Sequence, residues 1–352
     1  MKVLATGAAG FICTHLIPDL LDAGHEVVGV DDLSRYGRTH HVYDSHPRYR
    51  FEACDVRDTD RLRELSMDAD QIVAGAGLVG RSASLHELAY DLLAENERIL
   101  ASTFDAAIDA YLDGHLQRIV VLSSTMVYES ATVFPTPEGA QRSSPPPVST
   151  FGFQKLASEM FALGAWEQYR LPYTILRPSS PVGQGERRVL TGLGTGEGRA
   201  GGEGRAGKLA TNHVVPDLVI KIMSGQDPLH IYGEGAQVRS FISVHDLAVG
   251  IRVAMESADA VNNDFNLCRG KGITILDLAR KIWAKLRPDD EFRSVSDTPY
   301  PYDVPYRVPD VRKAKAVLGF EATTPLNDML DEVISWIRAE LDAGVLTAET
   351  RA

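Results

Sequence analysis

The chain has 352 residues, of which 44% are apolar and 24% charged, as in an ordinary globular enzyme. Its net charge of −12, without a long basic run, makes nucleic acid and anionic membranes poor partners. The sequence shows neither a signal peptide nor an apolar stretch long enough to cross a bilayer, so we expect a cytoplasmic protein. Cys13, Cys54 and Cys268 form no CxxC pair, so neither a zinc site nor a disulfide framework is predicted.

Short β-rich runs alternate with longer helical patterns through the first half of the chain. The predicted strands are Lys2–Thr6, Glu26–Asp31, Tyr49–Cys54, Gln71–Ala74, Arg118–Ser123 and Thr174–Arg177. The predicted helices are Gly10–Ala23, Asp58–Leu65 and a long stretch from about Leu88 to Leu112. Such alternation predicts an α/β fold with a parallel sheet and right-handed crossovers.

The pattern changes after Arg177, where elements become shorter and loops longer. We predict a first domain over residues 1–177, with a return segment near 236–260, and a smaller second domain over 178–352. The second domain contains a Gly-rich insert, residues 191–207, in which GEGRAG occurs twice in succession. Such a stretch buries too little surface to become ordered, which indicates a flexible surface insert. The alternative is a lid over a ligand.

A glycine motif follows the first predicted strand and opens the first predicted helix. Gly7 permits a tight turn, and Gly10 lets backbone N–H groups approach a pyrophosphate at the positive end of the helix. Asp31 ends the second strand, where a carboxylate accepts both ribose hydroxyls of NAD and repels a 2′-phosphate. NAD is therefore predicted rather than NADP, although Arg35 and Arg38 lie nearby. The alternative is that Asp31 merely ends a strand.

Nine segments, in order and over nearly the whole chain, resemble the extended short-chain dehydrogenases that act on nucleotide sugars. They are TGAAGFI, VDDLS, CDVRD, AGAGLVG, LSSTMVY, FGFQKLASE, ILRPSSPVGQGE, RSFISVHDLA and RVPDVRKAKAVLGF. The resemblance implies a Rossmann-like, doubly wound sheet that binds NAD and a smaller mixed α/β C-terminal domain that binds a nucleoside-diphosphate sugar. The third glycine of the family's motif is Cys13 here, at a position that governs helix–strand packing. The NAD-binding residues implied are Gly7, Gly10, Phe11, Ile12, Asp31, Asp32, Leu33, Asp55, Val56, Gly75, Ala76, Gly77, Asn96 and Lys155.

The family's catalytic group is a tyrosine four residues before a lysine, completed by a serine or threonine. Ser124 and Lys155 match the serine and the lysine, and the tyrosine position is Phe151. Phenylalanine has no proton to exchange, and a general acid–base group is worth about 10²–10⁴ in rate. Either the residue is a laboratory Tyr→Phe substitution, or it is natural and the protein has other chemistry or none. Tyr128 is a possible substitute base, although packing at a strand end explains it equally simply.

Three further departures favour natural divergence: Cys13, Ala74 where the family often has His, and Ser180 where it usually has Asn. Dehydratases of the family carry an Asp-Glu pair before the VY of LSSTMVY, and decarboxylases resemble them in carrying a Glu there. This chain has Thr125 and Met126, which cannot perform either task. The pattern therefore favours an epimerase, with a 4,6-dehydratase as the runner-up and a noncatalytic binding protein as a third hypothesis.

The resemblance also implies a set of substrate-binding residues. Arg239 matches the arginine that pairs with the ligand diphosphate, for which a bidentate guanidinium is suited, and a surface salt bridge is the alternative. Ser180 and His213 fall where residues contact the phosphates and the sugar, although His213 fits a core or loop histidine with satisfied hydrogen bonds as well. Leu229–Tyr232 resembles the strand that covers the base, and Asp303 is expected at its ribose. Ser124 completes the substrate-binding set, and no metal site is predicted.

Two helical stretches, near Leu88–Leu112 and Gly152–Tyr169, match those that pair across a two-fold axis in many relatives. Their amphipathic pattern fits plain core packing as well. We expect a homodimer.

Overall fold

The computed structural model describes residues 1–37, 39–79, 89–186, 213–299 and 303–343. The predicted Gly-rich insert at 191–207 and Arg38 lie outside the described residues.

A seven-stranded parallel sheet forms the centre of the first half of the chain. Its strand order is β11-β6-β5-β4-β1-β2-β3, which is the doubly wound order with one further strand at the β6 edge. The predicted fold class is thereby confirmed. The strands are β1 (Lys2–Thr6), β2 (Glu26–Asp31), β3 (Tyr49–Ala53), β4 (Gln71–Ala74), β5 (Arg118–Leu122), β6 (Tyr173–Pro178) and β11 (Asn263–Leu267).

Helices cover both faces of this sheet because each strand alternates its apolar side chains between the two. In β1, Val3 and Ala5 belong to the core on one face and Leu4 to the core on the other. The helices of the first face are α1 (Cys13–Asp22), α6 (Val244–Glu256) and α8 (Arg312–Leu318). The helices of the second face are α2 (Thr59–Ser66), α3 (Ala89–Leu112) and α4 (Thr150–Tyr169).

A third core lies among helices from beyond residue 178. These helices are α5 (Val214–Met223), α7 (Ile275–Leu286) and α9 (Leu326–Asp342). Small sheets accompany them, in which β8 (Leu229–Tyr232) pairs with β13 (Ser294–Asp297) and β7 (Pro181–Val182) pairs with β10 (Ile242–Ser243). A three-stranded sheet joins β12 (Gly272–Thr274), β9 (Val238–Ser240) and β14 (Tyr306–Arg307).

The chain returns to the large sheet between these parts: α6 packs on α1, and β11 becomes the edge strand beside β6. The domain limits at 177 and 178 stay a prediction. Among the described helices, none is long and apolar enough to cross a membrane.

Candidate active site

The loop between β1 and α1 has no room for side chains at its glycines. Gly7 has a φ of +74°, and a Cβ there would lie 2.8 Å from the backbone nitrogen of Ala76. A Cβ on Gly10 would lie 2.9 Å from the carbonyl oxygen of Gly7. Phe11 and Ile12 then lead into α1, where the Thr14 N–H donates to the carbonyl of Gly10 at 3.0 Å and no side chain caps the helix. This turn, with glycines at its two closest backbone approaches and a helix N-terminus after it, fits a dinucleotide pyrophosphate.

The end of β4 closes the other side of this loop. The Thr6 hydroxyl accepts N–H bonds from Gly75 at 3.1 Å and Ala76 at 3.2 Å. A Cβ on Gly75 would lie 2.9 Å from Cys13 Sγ, so the thiol fills the space between helix and strand. Burial raises the pKa of Cys13 to about 12, which keeps the thiol protonated. Cys13 is thus a packing residue.

Asp31 lies at the end of β2 and faces the same loop. Its carboxylate accepts the N–H of Ala9 at 3.0 Å and of Leu33 at 2.8 Å, and burial raises its pKa. Each carboxylate oxygen has a second lone pair, so capacity for ribose hydroxyls remains. The Asp32 carboxylate instead accepts two hydrogen bonds from Ser34, one from the backbone N–H at 3.0 Å and one from the hydroxyl at 2.6 Å. Of the two aspartates, Asp31 is the one joined to the glycine loop.

The other predicted cofactor residues have mixed surroundings. The Asn96 amide accepts the Leu78 N–H at 2.7 Å and donates to the Leu78 carbonyl at 2.9 Å, so it shapes the loop that begins with Gly75. Gly77 lies against the same amide: a Cβ on Gly77 would be 3.4 Å from the amide oxygen of Asn96. The carboxylate of Asp55 is held by Arg57, which lowers its pKa. Val56 is buried, and its carbonyl accepts a hydroxyl from α3.

The catalytic candidates meet where β5 ends and α4 begins. Ser124 caps the 3₁₀ turn Thr125–Tyr128, and its hydroxyl accepts the Met126 N–H at 3.2 Å. Lys155 Nζ donates to the carbonyl of Leu122 at 2.9 Å, two residues before Ser124. The Phe151 ring lies one turn before Lys155 on α4, with its centroid 6.0 Å from Nζ. Burial lowers the pKa of Lys155 to about 8.

Tyr128 is engaged in a buried polar network rather than exposed to this cleft. Its hydroxyl is 2.8 Å from Arg177 and donates to Asn266 at 2.9 Å. Arg177 is also bound by both oxygens of Glu159, at 2.7 and 2.8 Å, and by Asp264 at 2.7 Å. Burial raises the pKa of Tyr128 far above its usual range. The substitute-base hypothesis is therefore disfavoured, and Tyr128 has a structural role.

The predicted substrate residues Arg239 and Asp303 form an ion pair with each other. Arg239 is only 8% exposed and also donates to the carbonyls of Val238 and Val304. The salt bridge considered as the alternative is present, but on the arginine side it is buried, because the Arg239 side chain is 10% exposed. A ligand phosphate would meet an arginine that Asp303 already orients.

Sequence reasoning missed Arg307, which is the cross-strand neighbour of Arg239 in the pairing of β14 with β9. Its guanidinium contacts Met126 and donates to the Ser180 hydroxyl at 3.1 Å, while its buried Nε has no partner among the described residues. Burial and the neighbouring Arg239 lower its pKa to about 9. The signal was present in RVPDVRKAKAVLGF, but nothing local distinguished this arginine from a surface residue.

Ser180 and His213 both lie beside polar groups. Ser180 has a φ of +42°, a left-handed conformation that is unfavourable for serine. His213 hydrogen-bonds to Glu186, whose carboxylate is 3% exposed and raises the pKa of the histidine. The second oxygen of Glu186 is buried and has no partner among the described residues. The core position considered above is disfavoured, because the His213 ring is 56% exposed, whereas a loop histidine that is hydrogen-bonded to Glu186 fits what the structure shows.

Comparisons with known proteins agree with this geometry. The model of the NAD-dependent epimerase/dehydratase family matches residues 3–195 and 198–268. The UDP-glucose 4-epimerase of Halalkalibacterium halodurans is 27% identical over 361 residues, covering 96% of this chain and 95% of that protein. The dTDP-4-dehydro-6-deoxy-D-allose reductase of Streptomyces bikiniensis is 26% identical over 342 residues, covering 96% of each.

A solved structure extends the likeness to three dimensions. The crystal structure of UDP-glucose 4-epimerase with UDP-glucose from Thermotoga maritima has a TM-score of 0.78 and 26% identity, covering 97% of this chain and 100% of that one. The glycine loop, the acidic end of β2 and the sheet order all fit NAD, the cofactor of the matched family. This chain therefore belongs to the NAD-dependent epimerase/dehydratase family.

Proposed function

We propose that this chain binds a nucleoside-diphosphate sugar beside NAD and that its site is arranged for epimerisation by transient oxidation. The observation that carries the proposal is the pair of neighbouring arginines, Arg239 and Arg307, beside the turn that begins at Ser124. Arg239 is already paired with Asp303, whereas the buried Nε of Arg307 has no partner among the described residues, so a dianionic diphosphate would supply the anion that this pair of guanidinium groups still lacks. The UDP-glucose bound to the Thermotoga maritima enzyme contains such a diphosphate.

The proposed reaction uses few protein groups. NAD, when bound, supplies reversible hydride transfer at a sugar carbon. Ser124 donates a hydrogen bond to the reacting sugar hydroxyl, and the cationic Lys155 favours loss of its proton, which passes to water in this chain because the side chain at position 151 cannot accept it. Phe151 holds the ring position of the usual acid–base tyrosine without its hydroxyl. Thr125 and Met126 have no acid to expel a ring hydroxyl, which places a 4,6-dehydratase second.

Restoring the hydroxyl tests this proposal. In Phe151→Tyr, a phenol would lie one helical turn from Lys155, so turnover should rise by about 10²–10⁴ on the matching nucleotide sugar. The measurement is interconversion within a panel of UDP- and dTDP-sugars, followed by chromatography. Phe153→Tyr is the matched control, because this exposed phenylalanine lies on the same helix. If the tyrosine variant interconverts none of these sugars, the epimerase assignment is wrong.

The missing hydroxyl also supports a second candidate function, a noncatalytic protein that binds NAD and a sugar nucleotide. The two hypotheses share both binding sites and differ only in turnover. Calorimetric binding of NAD and UDP, combined with no turnover by either the parent or Phe151→Tyr, would favour the noncatalytic protein. Turnover by Phe151→Tyr but not by the parent would favour an enzyme whose only missing catalytic group is the hydroxyl at position 151. Turnover by the parent would indicate another acid–base group.

We also propose that the protein is a cytoplasmic homodimer that pairs through α3 and α4. Both helices pack side by side, and they carry the exposed side chains Tyr90 (67%) and Met160 (58%). Met160 lies near the middle of α4, so a charge placed there tests whether this helix is at the interface. Sedimentation should give a dimer for the parent and a monomer for Met160→Glu, and a monomeric parent would refute the pairing. The buried free thiols of Cys13 and Cys268 suit a reducing compartment.

A further inference from the structure

Four residues that are distant in sequence meet between α1 and the segment that follows β7. His15 of α1 lies 2.9 Å, at Nε2, from the carbonyl oxygen of Gln184. The Gln184 N–H donates to Glu332 Oε1 of α9 at 2.9 Å, and the same oxygen lies 3.1 Å from His245 Nε2 of α6. The rings of His15 and His245 meet edge to face, 4.7 Å apart. The backbone of Gln184 is therefore held at two points, its carbonyl by His15 and its N–H by Glu332.

This cluster contacts the turn after the glycine loop and includes a residue of the chain segment that follows the proposed substrate residue Ser180. On the cofactor side, the His15 ring packs edge to face against Phe11, 5.7 Å away, in the turn between Gly10 and α1. On the substrate side, Gln184 is two residues from the buried Glu186 and four from Ser180. A shift of the glycine loop would therefore be passed to the substrate side by the His15 ring and the backbone of Gln184.

The segment between Pro181 and Glu186 has little freedom to move independently. A Cβ on Gly183 would lie 2.4 Å from Val244 Cγ1 and 3.3 Å from Glu332 Oε1. Gly185 has a φ of +87°, which an L side chain rarely adopts. The preceding strand β7 pairs with β10, which leads directly into α6 and His245. The backbone is thus fixed against the same helix that carries one member of the cluster.

Glu332 is fixed in turn by its own helix. Its neighbours Met329, Leu330 and Val333 are buried in the third core. Hydrogen bonds to the imidazole of His245 and the N–H of Gln184 lower the pKa of Glu332, so the carboxylate stays ionised. Burial lowers the pKa of His15, which keeps that ring neutral and able to donate from one nitrogen. Each bond in the cluster therefore has a defined donor and acceptor.

We propose that His15 and Glu332 are positioning residues that couple occupancy of the NAD site to affinity for the nucleoside-diphosphate sugar. The inference rests on the proposed function, since it requires both ligands. NAD on the glycine loop fixes Phe11 and His15, and His15 fixes Gln184 in the position that Glu332 already favours. The substrate segment is then ordered before the sugar nucleotide arrives, so part of its ordering entropy is already spent. By linkage, the sugar nucleotide must strengthen NAD binding by the same factor.

The test is a calorimetric titration of UDP into the full-length protein, with saturating NAD and after removal of bound nucleotide. In the parent, NAD should tighten UDP binding on the order of tenfold. His15→Phe keeps the ring but cannot donate, and Glu332→Gln keeps the shape but loses the charge. In both variants the enhancement should fall below about twofold, while UDP affinity without NAD changes little. His15→Gln, which can donate, should recover part of the enhancement if His15→Phe folds poorly.

His25→Phe is the matched control, because His25 also contacts a carboxylate across two elements, 2.9 Å from Glu256, away from both sites. It should retain the full enhancement. Equal enhancement in the parent, His15→Phe and Glu332→Gln would overturn the inference, as would a parent in which NAD leaves UDP affinity unchanged. A parent that does not bind UDP at all would overturn the proposed function as well, so the two failures are distinguishable.

Discussion

Lys155 holds a cationic side chain inside the protein, and its replacement by methionine measures what that burial costs. Burial lowers the pKa of Lys155 from 10.5 to about 8. A difference of about 2.5 pKa units corresponds to about 3 kcal/mol. Burial lowers the free energy of unfolding by this amount at any pH at which Lys155 is protonated in both the folded and the unfolded state. Methionine removes this cost but also the hydrogen bond to the Leu122 carbonyl, worth about 1 kcal/mol. At pH 7 we expect Lys155→Met to be about 2 kcal/mol more stable than the parent.

The sign of the pH dependence follows from the same shift. Between pH 8 and 10.5 the folded protein has released the lysine proton while the unfolded chain still binds it, so the parent gains stability as pH rises. The advantage of Lys155→Met should therefore shrink through this range, reach zero near pH 10, where the remaining cost of burial equals the lost hydrogen bond of about 1 kcal/mol, and become a small deficit at higher pH. Urea unfolding of both ligand-free proteins at pH 7, 8.5 and 10 measures it. The exposed Lys281→Met is the control, and an advantage that is absent at pH 7, or constant with pH, would refute the reasoning.

Four further substitutions have expected outcomes. Asp31→Ala should weaken NAD binding and relax discrimination against NADP in calorimetry; equal affinities in the parent would show that the carboxylate does not reach the ribose. Arg239→Ala and Arg307→Ala should each lower UDP affinity by about one to two decades and leave NAD affinity unchanged. A loss confined to NAD would mean that the cleft is misassigned. Glu159→Gln leaves the buried Arg177 guanidinium paired with Asp264 alone and should lower the free energy of unfolding by about 2–3 kcal/mol. A loss below 1 kcal/mol in urea titrations, comparable to that of the exposed Glu167→Gln, would contradict this.

The sequence predicted the large sheet closely because its strands are short apolar runs between turn residues. Lys2–Thr6, Glu26–Asp31 and Gln71–Ala74 have the predicted limits. The first helix begins at Cys13 rather than at the predicted Gly10, because residues 10–12 belong to the turn that precedes the helix. Local composition does not distinguish a turn of this kind from the first turn of a helix.

The candidate site was less predictable, since its key contacts join residues far apart in the chain. Arg239 was predicted from its motif, but its bond to Asp303 and its pairing with Arg307 depend on how three small strands assemble. Tyr128 was ambiguous in the sequence, and only the fold shows that Arg177 and Asn266 occupy its hydroxyl. Periodicity reports which face of an element is buried but not which charged group lies opposite.

The edge strand β11 has a consequence for synthesis on the ribosome. Strand β6 bonds to β5 on one side and to β11 on the other, and the Arg118 side chain of β5 binds carbonyls of Met255 and Ser257. A nascent chain that has emerged only to Pro178 therefore exposes an unpaired strand edge, and its Arg118 side chain lacks the two carbonyl partners. Exposed strand edges recruit other strands, so the interval before residues 263–267 emerge is when the nascent chain most needs a chaperone.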